Sequence, residues 1–132
     1  MDKLLVYAVG LFFLAYGVAF TLLPLEMAQF VTGAAPATAS GVIDMRATYG
    51  GMSVAVGILL IVLGGRAEWG SRGLLASAIV LRGMAGGRVI GMVLDGSPNM
   101  LMYLYLAGEL MFAALALILS RSFHIVLGWY KW

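Results

Sequence analysis

Four long apolar runs, separated by short polar or turn-forming stretches, set the pattern of this chain. The first covers Leu4 to Leu23, about 20 residues, which is the length a bilayer core requires of a helix. Pro24 ends it. Leu25 to Val31 reads as a short helix lying at the membrane interface, with Glu26 and Gln29 toward water. Thr32 to Gly41, TGAAPATASG, is small and turn-rich and reads as an extramembrane loop. A second span follows from Ile43 to Leu63. After the polar turn GGRAEWGS, a third runs from Arg72 to Leu94. The connection DGSPN is so short that the third and fourth spans must be antiparallel neighbours. Ser97 is placed to cap the fourth, and Pro98 suits its first turn. The fourth span runs from Asn99 to Leu119. The expected fold class is therefore all-α, an integral membrane bundle of four transmembrane helices forming one domain over residues 1–132.

Composition agrees with this pattern. Hydrophobic residues make up 63% of the chain and charged residues 11%. A soluble domain carries roughly 25% charged residues, so this chain cannot cover a water-facing surface. The formal net charge of +2 is small and scattered, and no basic patch speaks for nucleic acid. With no cysteine, disulfides and thiolate chemistry are excluded. The first 20 residues have some character of a signal peptide. Their apolar run is long, however, and hydrophobic segments follow it, so we read them as a first span.

Lysine and arginine placement predicts orientation. Lys3, Arg66, Arg72, Arg121 and Lys131 all fall on one side of a four-span bundle, and the other two connections carry neither residue. The positive-inside rule then places both termini in the cytoplasm. The tail, with Trp129, Tyr130 and Trp132 around Lys131, has the composition of an interfacial anchor.

Small residues mark where helices should approach closely. Gly10 and Gly17 lie one heptad apart, and Gly50, Ser53 and Gly57 follow Arg46 at helical spacing. Gly83, Gly87 and Gly91 form a further stripe on the third span. Because that span also carries buried charge, it is expected to lie packed inside the others.

The candidate chemistry lies in charges at membrane depth. At about 1.5 Å per residue, Arg82 stands about 15 Å from the inner end of its span, with Arg88 about 9 Å further out. Glu109 is near the middle of the fourth span, and Asp44, Arg46 and Asp95 are nearer the outer interface. Each Arg or Asp left at a helix centre costs about 2.5–3.5 kcal/mol. Such residues should face the bundle interior and pair, or line a wet cavity.

Helix direction selects the partners, because side chains tilt toward the N-terminus of their own helix. Arg88 then leans inward and Glu109 outward, and the two converge. Arg82 leans away, which makes it the second choice, together with Asp44. The expected cluster is Arg46, Arg88, Asp95 and Glu109, with Tyr49 and Tyr105 one turn away as hydrogen-bond donors. Such a cluster can be a structural clamp that fixes which helices meet. It can equally be a polar pocket for an anion, a lipid headgroup or a proton pathway.

Other signals carry less. Gly83-Met84-Ala85-Gly86-Gly87 lacks the preceding strand and the Lys-Ser ending of a phosphate loop. His124 is the only histidine, so no metal set is expected. No Ser-His-Asp or paired-carboxylate constellation is visible, and no cofactor is expected.

The segments Arg46-Ala47-Thr48-Tyr49-Gly50-Gly51, Gly87-Arg88, Asp95-Gly96-Ser97-Pro98 and Glu109 together resemble a bacterial membrane family known as domain of unknown function 4345. That family is in turn distantly similar to DoxX-type four-helix membrane proteins. The resemblance implies a four-span inner-membrane protein and no established activity. Arg82 lies outside its pattern, which favours Arg88 as the partner of Glu109.

The resulting expectation is a multi-pass protein of the bacterial cytoplasmic membrane, without catalysis. It would bind a lipid or small anionic ligand, or serve as a subunit of a homo-oligomer or larger membrane complex. The alternative is a proton- or ion-coupled transporter with Glu109 as the titrating group. A membrane enzyme with Glu109 as acid or base and Arg88 as anion holder is a third class.

Overall fold

The computed structural model describes residues 2–65, 70–95 and 98–128, with side chains at 3–65, 71–94 and 98–120. Helix α1 is Asp2–Leu22, α2 Pro24–Thr32 and α3 Ala39–Met45. A π-helical stretch, Arg46–Gly51, joins α3 without a break to α4, Met52–Gly65. Helix α5 is Gly70–Asp95 and α6 Met100–Gly128. Four segments are long and apolar enough to cross a membrane: Lys3–Leu22, Ala39–Gly65, Ser71–Leu94 and Met100–Ser120. The chain is thus all-helical over the described residues, with the four spans expected from its pattern.

Local chemistry sets the helix ends. Pro24 cannot continue α1, and its fixed φ suits the first turn of α2. Gly33 closes α2 with φ 84°, a left-handed conformation that glycine adopts without strain. Glu26 and Gln29 of α2 are exposed, while Ala28 and Val31 are buried beneath it. The following loop is shorter than expected from its composition. Thr38 accepts from the Gly41 N–H at 3.1 Å and starts α3 at Ala39. Asn99 caps α6: its side-chain oxygen accepts from the Met102 N–H at 3.1 Å. The Asn99 amide also donates to the Val31 carbonyl at 2.9 Å, tying α6 to the end of α2. Ser97, the expected cap, lies outside the described residues.

The helices pack as two close pairs, α1 with α4 and α5 with α6, and the pairs meet along a looser seam. The first pair is joined backbone to backbone. A Cβ added at Gly57 would stand 2.6 Å from Leu14 N and 2.7 Å from Gly10 O, and one at Gly17 would stand 2.5 Å from Val54 N. Only glycine permits that approach, so the small-residue stripes of the first two spans do bring those helices together.

The stripe of the third span does not. Added Cβ atoms at Gly83, Gly86 and Gly87 would meet nothing within 4 Å. Helix α5 instead buries Leu74, Ser77, Ala78, Leu81 and Ala85. Arg88 fixes this rotation. Leu74 and Leu81 precede it by two heptads and one, so a helix that turns Arg88 inward turns those leucines inward too. The glycines then face outward.

The main core holds Val6, Val9, Phe13, Leu60, Leu74, Ala78, Leu81, Ala113 and Ala116. All four spans meet there, in the half of the bundle nearer the chain ends. A smaller core, Phe20, Ala28 and Val31, sits in the opposite half beneath α2, with Tyr16, Met27, Met45, Met102 and Tyr105 against it. Between the two cores the seam opens into cavities.

Candidate functional site

Arg88 on α5 and Glu109 on α6 form a bidentate ion pair. Arg88 Nε donates to Glu109 Oε2 at 3.1 Å and Nη2 to Oε1 at 2.6 Å. This is the pairing that depth and side-chain tilt predict for antiparallel neighbours. Glu109 is 7% exposed and the Arg88 side chain 17%, so the pair lies inside the bundle. The parallel N–H···O bonds match the planar guanidinium to the carboxylate, the strongest geometry open to such a pair. Two further groups hold the guanidinium. Its carbon lies 5.3 Å from the centre of the Tyr105 ring, a cation–π contact. Nη1 faces the thioether sulfur of Met102 at 3.0 Å, a weak acceptor.

Arg46 does not join this pair. It is exposed and donates through Nη1 to the backbone carbonyl of Thr21. Helix α1 ends at Leu22, so the Thr21 carbonyl has no acceptor role left within that helix. A cation there satisfies the orphan oxygen and complements the helix dipole. The π-helical stretch RATYGG brings Arg46 to this position, and Gly50 lets the stretch lie against α1. A Cβ at Gly50 would come within 2.5 Å of Thr21 Oγ1. The motif picked out by sequence is thus a wide turn that docks on α1. π-turns inside α-helices recur at functional sites.

The other expected members divide. Tyr105 stands beneath Arg88. Tyr49 stacks on Phe20, with ring centres 5.3 Å apart, and lines the larger cavity with Arg88 without bonding to the pair. Asp44 is exposed at the loop end, where it lines a cavity. The Asp95 side chain lies outside the described residues, as do those of Arg121 and His124. Arg66 and residues 129–132 lie outside them altogether. Arg82 is exposed rather than turned inward, because the rotation that buries Arg88 leaves it on the flank of α5.

Two cavities adjoin the pair. One, of about 230 Å³, lies between α1 and the α5/α6 pair. Its walls are apolar, Val9, Phe12, Phe13, Leu81, Met84 and Phe112 among them, and its polar groups are Tyr16, Tyr105, Arg88 and Glu109. The second, of about 790 Å³, lies between α4 and α5. It runs from Ser53 and Met84 past Arg88 toward Asp44 and Thr48 at the loop end. Arg88, Tyr16, Phe13 and Met84 line both.

Sequence reasoning passed over Tyr16. It belongs to an aromatic ladder on α1, stacked with Phe12 at 6.0 Å and tilted against Phe20 at 4.8 Å. The i, i+4 spacing of Phe12, Tyr16 and Phe20 was the available signal. Met102, at i−7 from Glu109 on the same face of α6, was legible in the same way. Among the described residues no group of three or more His, Cys, Asp or Glu could hold a metal ion.

Four apolar spans around an internal Arg–Glu pair define the class: a multi-pass helical membrane protein. The chain belongs to the family described as Domain of unknown function (DUF4345), which it matches over residues 1–120. No curated protein and no solved structure matches it.

Proposed function

We propose that this protein binds a lipid-soluble amphiphile in the seam between its two helix pairs, with the Arg88–Glu109 pair meeting the polar end. The observation that carries the reading is the position of that pair. It stands where an apolar cavity and a larger, partly polar cavity adjoin. The larger alone falls within the range of about 300–1,000 Å³ typical of small-molecule sites. A buried ion pair with a single structural role needs no space beside it.

The chemistry narrows the ligand. Glu109 already neutralises Arg88, so a small anion would have to displace a bidentate carboxylate. A neutral or zwitterionic headgroup with a hydrogen-bond acceptor needs to displace only the Met102 thioether from Nη1. Tyr16 and Tyr105 offer hydroxyls to the same group. The apolar walls suit a chain or ring entering from the bilayer. The reading places the protein in a bacterial cytoplasmic membrane with both termini inside, as a binding or accessory subunit of the DoxX-like kind.

Proton-coupled transport is the rival. Both oxygens of Glu109 are held by Arg88, leaving neither free to exchange a proton without breaking the pair, and this favours binding. Native mass spectrometry of the purified protein, with phosphatidylethanolamine added, tests the reading. We expect the wild type to retain one amphiphile. Gly108→Leu should lose it with an unchanged melting temperature, because Gly108 lines the small cavity and a Cβ there meets nothing within 4 Å. A wild type that carries no amphiphile and takes up none rules the reading out. PH-driven uptake in proteoliposomes, abolished by Glu109→Gln, would replace it with transport.

A further inference from the structure

We propose that the outward face of α5 around Arg82 docks a transmembrane helix of a different protein, one that carries an Asp or Glu at mid-membrane depth. Arg82 is the starting observation. It lies at the middle of the span Ser71–Leu94, is exposed, and has no ion pair or hydrogen bond among the described residues. A cation at that depth facing hydrocarbon is unfavourable, and intramembrane arginines pair or face a cavity. Among the described residues Arg82 does neither, and they leave the charge without its counterpart.

The surroundings fit a helix. Ile79, Gly83, Gly86, Ile90 and Val93 continue the same exposed face along α5. Gly83 and Gly86 flank Arg82, and Cβ atoms added at either would meet only open space. Glycines here cut a notch beside the charge. A neighbouring helix seated in that notch brings its backbone close and its carboxylate within reach of the guanidinium. Ile79 above and Ile90 below supply the apolar contact on either side.

Charge decides the occupant. A second copy of this chain offers six acidic residues, Asp2, Glu26, Asp44, Glu68, Asp95 and Glu109. Of these, Glu109 alone lies at mid-span, and Arg88 holds both of its oxygens. Two copies joined through this face would also set one Arg82 against the other. The complementary partner is therefore another membrane protein with its own buried carboxylate. The inference does not depend on the amphiphile site, which lies on the opposite face of α5.

The test uses the full chain in phosphatidylcholine vesicles at pH 8. The probes are synthetic leucine-rich transmembrane peptides with two glycines four residues apart. One peptide carries a central Glu and the other a central Gln, and energy transfer reports binding. We expect saturable binding of the Glu peptide, at least tenfold tighter than that of the Gln peptide. Arg82→Gln should remove the preference, Arg82→Lys should keep it, and Gly86→Leu should weaken both peptides. Equal binding of the two peptides by the wild type overturns the proposal, and needs no variant to read. Concentration-dependent association of the chain with itself, lost in Arg82→Gln, would assign the face to a second copy instead. Loss of the Glu preference when phosphatidylglycerol is added would assign Arg82 to lipid phosphate.

Discussion

Arg88 and Glu109 lie on consecutive antiparallel spans and share two parallel hydrogen bonds, 3.1 and 2.6 Å long. Their helices are joined by a connection too short to let them separate, so the pair closes the second half of α5, two turns from its end, against α6. Neither residue has another charged partner among the described side chains. Each therefore depends on the other for its stability at this depth.

Removing one partner should be costly. Arg88→Met or Glu109→Gln alone leaves a buried group unmatched, a loss on the order of 3–5 kcal/mol. The double variant should recover part of it, giving a non-additive cycle in thermal melts in detergent. Additive losses would mean that the two residues stabilise the bundle separately.

The glycines give a contrast within one experiment. Gly57→Leu should collapse the α1/α4 pair, because its Cβ alone meets Leu14 N and Gly10 O below 3 Å. Gly87→Leu should melt near the wild type, since open space surrounds that position. Equal melting temperatures for the two variants would contradict the close α1/α4 packing and the open face of α5.

Arg46 should matter through the end of α1. Arg46→Met removes the donor to the Thr21 carbonyl, a loss of about 0.5–1.5 kcal/mol for an exposed hydrogen bond. Arg46→Lys should restore part of that stability. Amide exchange localised to the last turn of α1 is the measurement that separates this effect from a general loss of packing.

Topology has its own check. Reporter fusions at Trp132 and Ala37 should respond oppositely, with the Trp132 fusion active in the cytoplasm. The same response at both sites would rule out four spans with the termini inside.

What was legible in the sequence follows from what lipid enforces. A helix must cross the bilayer with its backbone satisfied, so the run lengths gave four spans, three of them to within a residue, while the second begins at Ala39 rather than Ile43. Depth and tilt, both consequences of helix geometry, paired Arg88 with Glu109. The glycine stripes were only half legible. Glycine shows that close approach is allowed, not that a partner is present. Gly17 and Gly57 meet a neighbour, while Gly83 and Gly87 do not. What settled the difference was the rotation of α5, imposed by Arg88 together with Leu74 and Leu81. Arg46 was misplaced for another reason. Its partner is a backbone carbonyl freed where Pro24 stops α1, and the π-turn that brings it there leaves no hydrophobic period to read. Asn99 caps α6, and the helix begins at Met100, one residue later than the apolar run suggests.

The wide turn at Arg46–Gly51 bears on insertions and deletions. A helix that carries one extra residue in a turn can shed that residue and remain continuous. The loss would rotate everything before it by about 100° relative to everything after it. Ser53, Gly57 and Leu60 would keep their places against α1, but Asp44 and Arg46 would swing around the helix. Arg46 would leave the Thr21 carbonyl and turn toward lipid, and Asp44 would leave the mouth of the larger cavity. A one-residue deletion within Arg46–Gly51 would thus keep four spans and a folded terminal half while dismantling the loop end. A compensating insertion within Ala39–Met45 would restore the rotation only of the residues before it, and Arg46, which lies after it, would stay displaced from the Thr21 carbonyl.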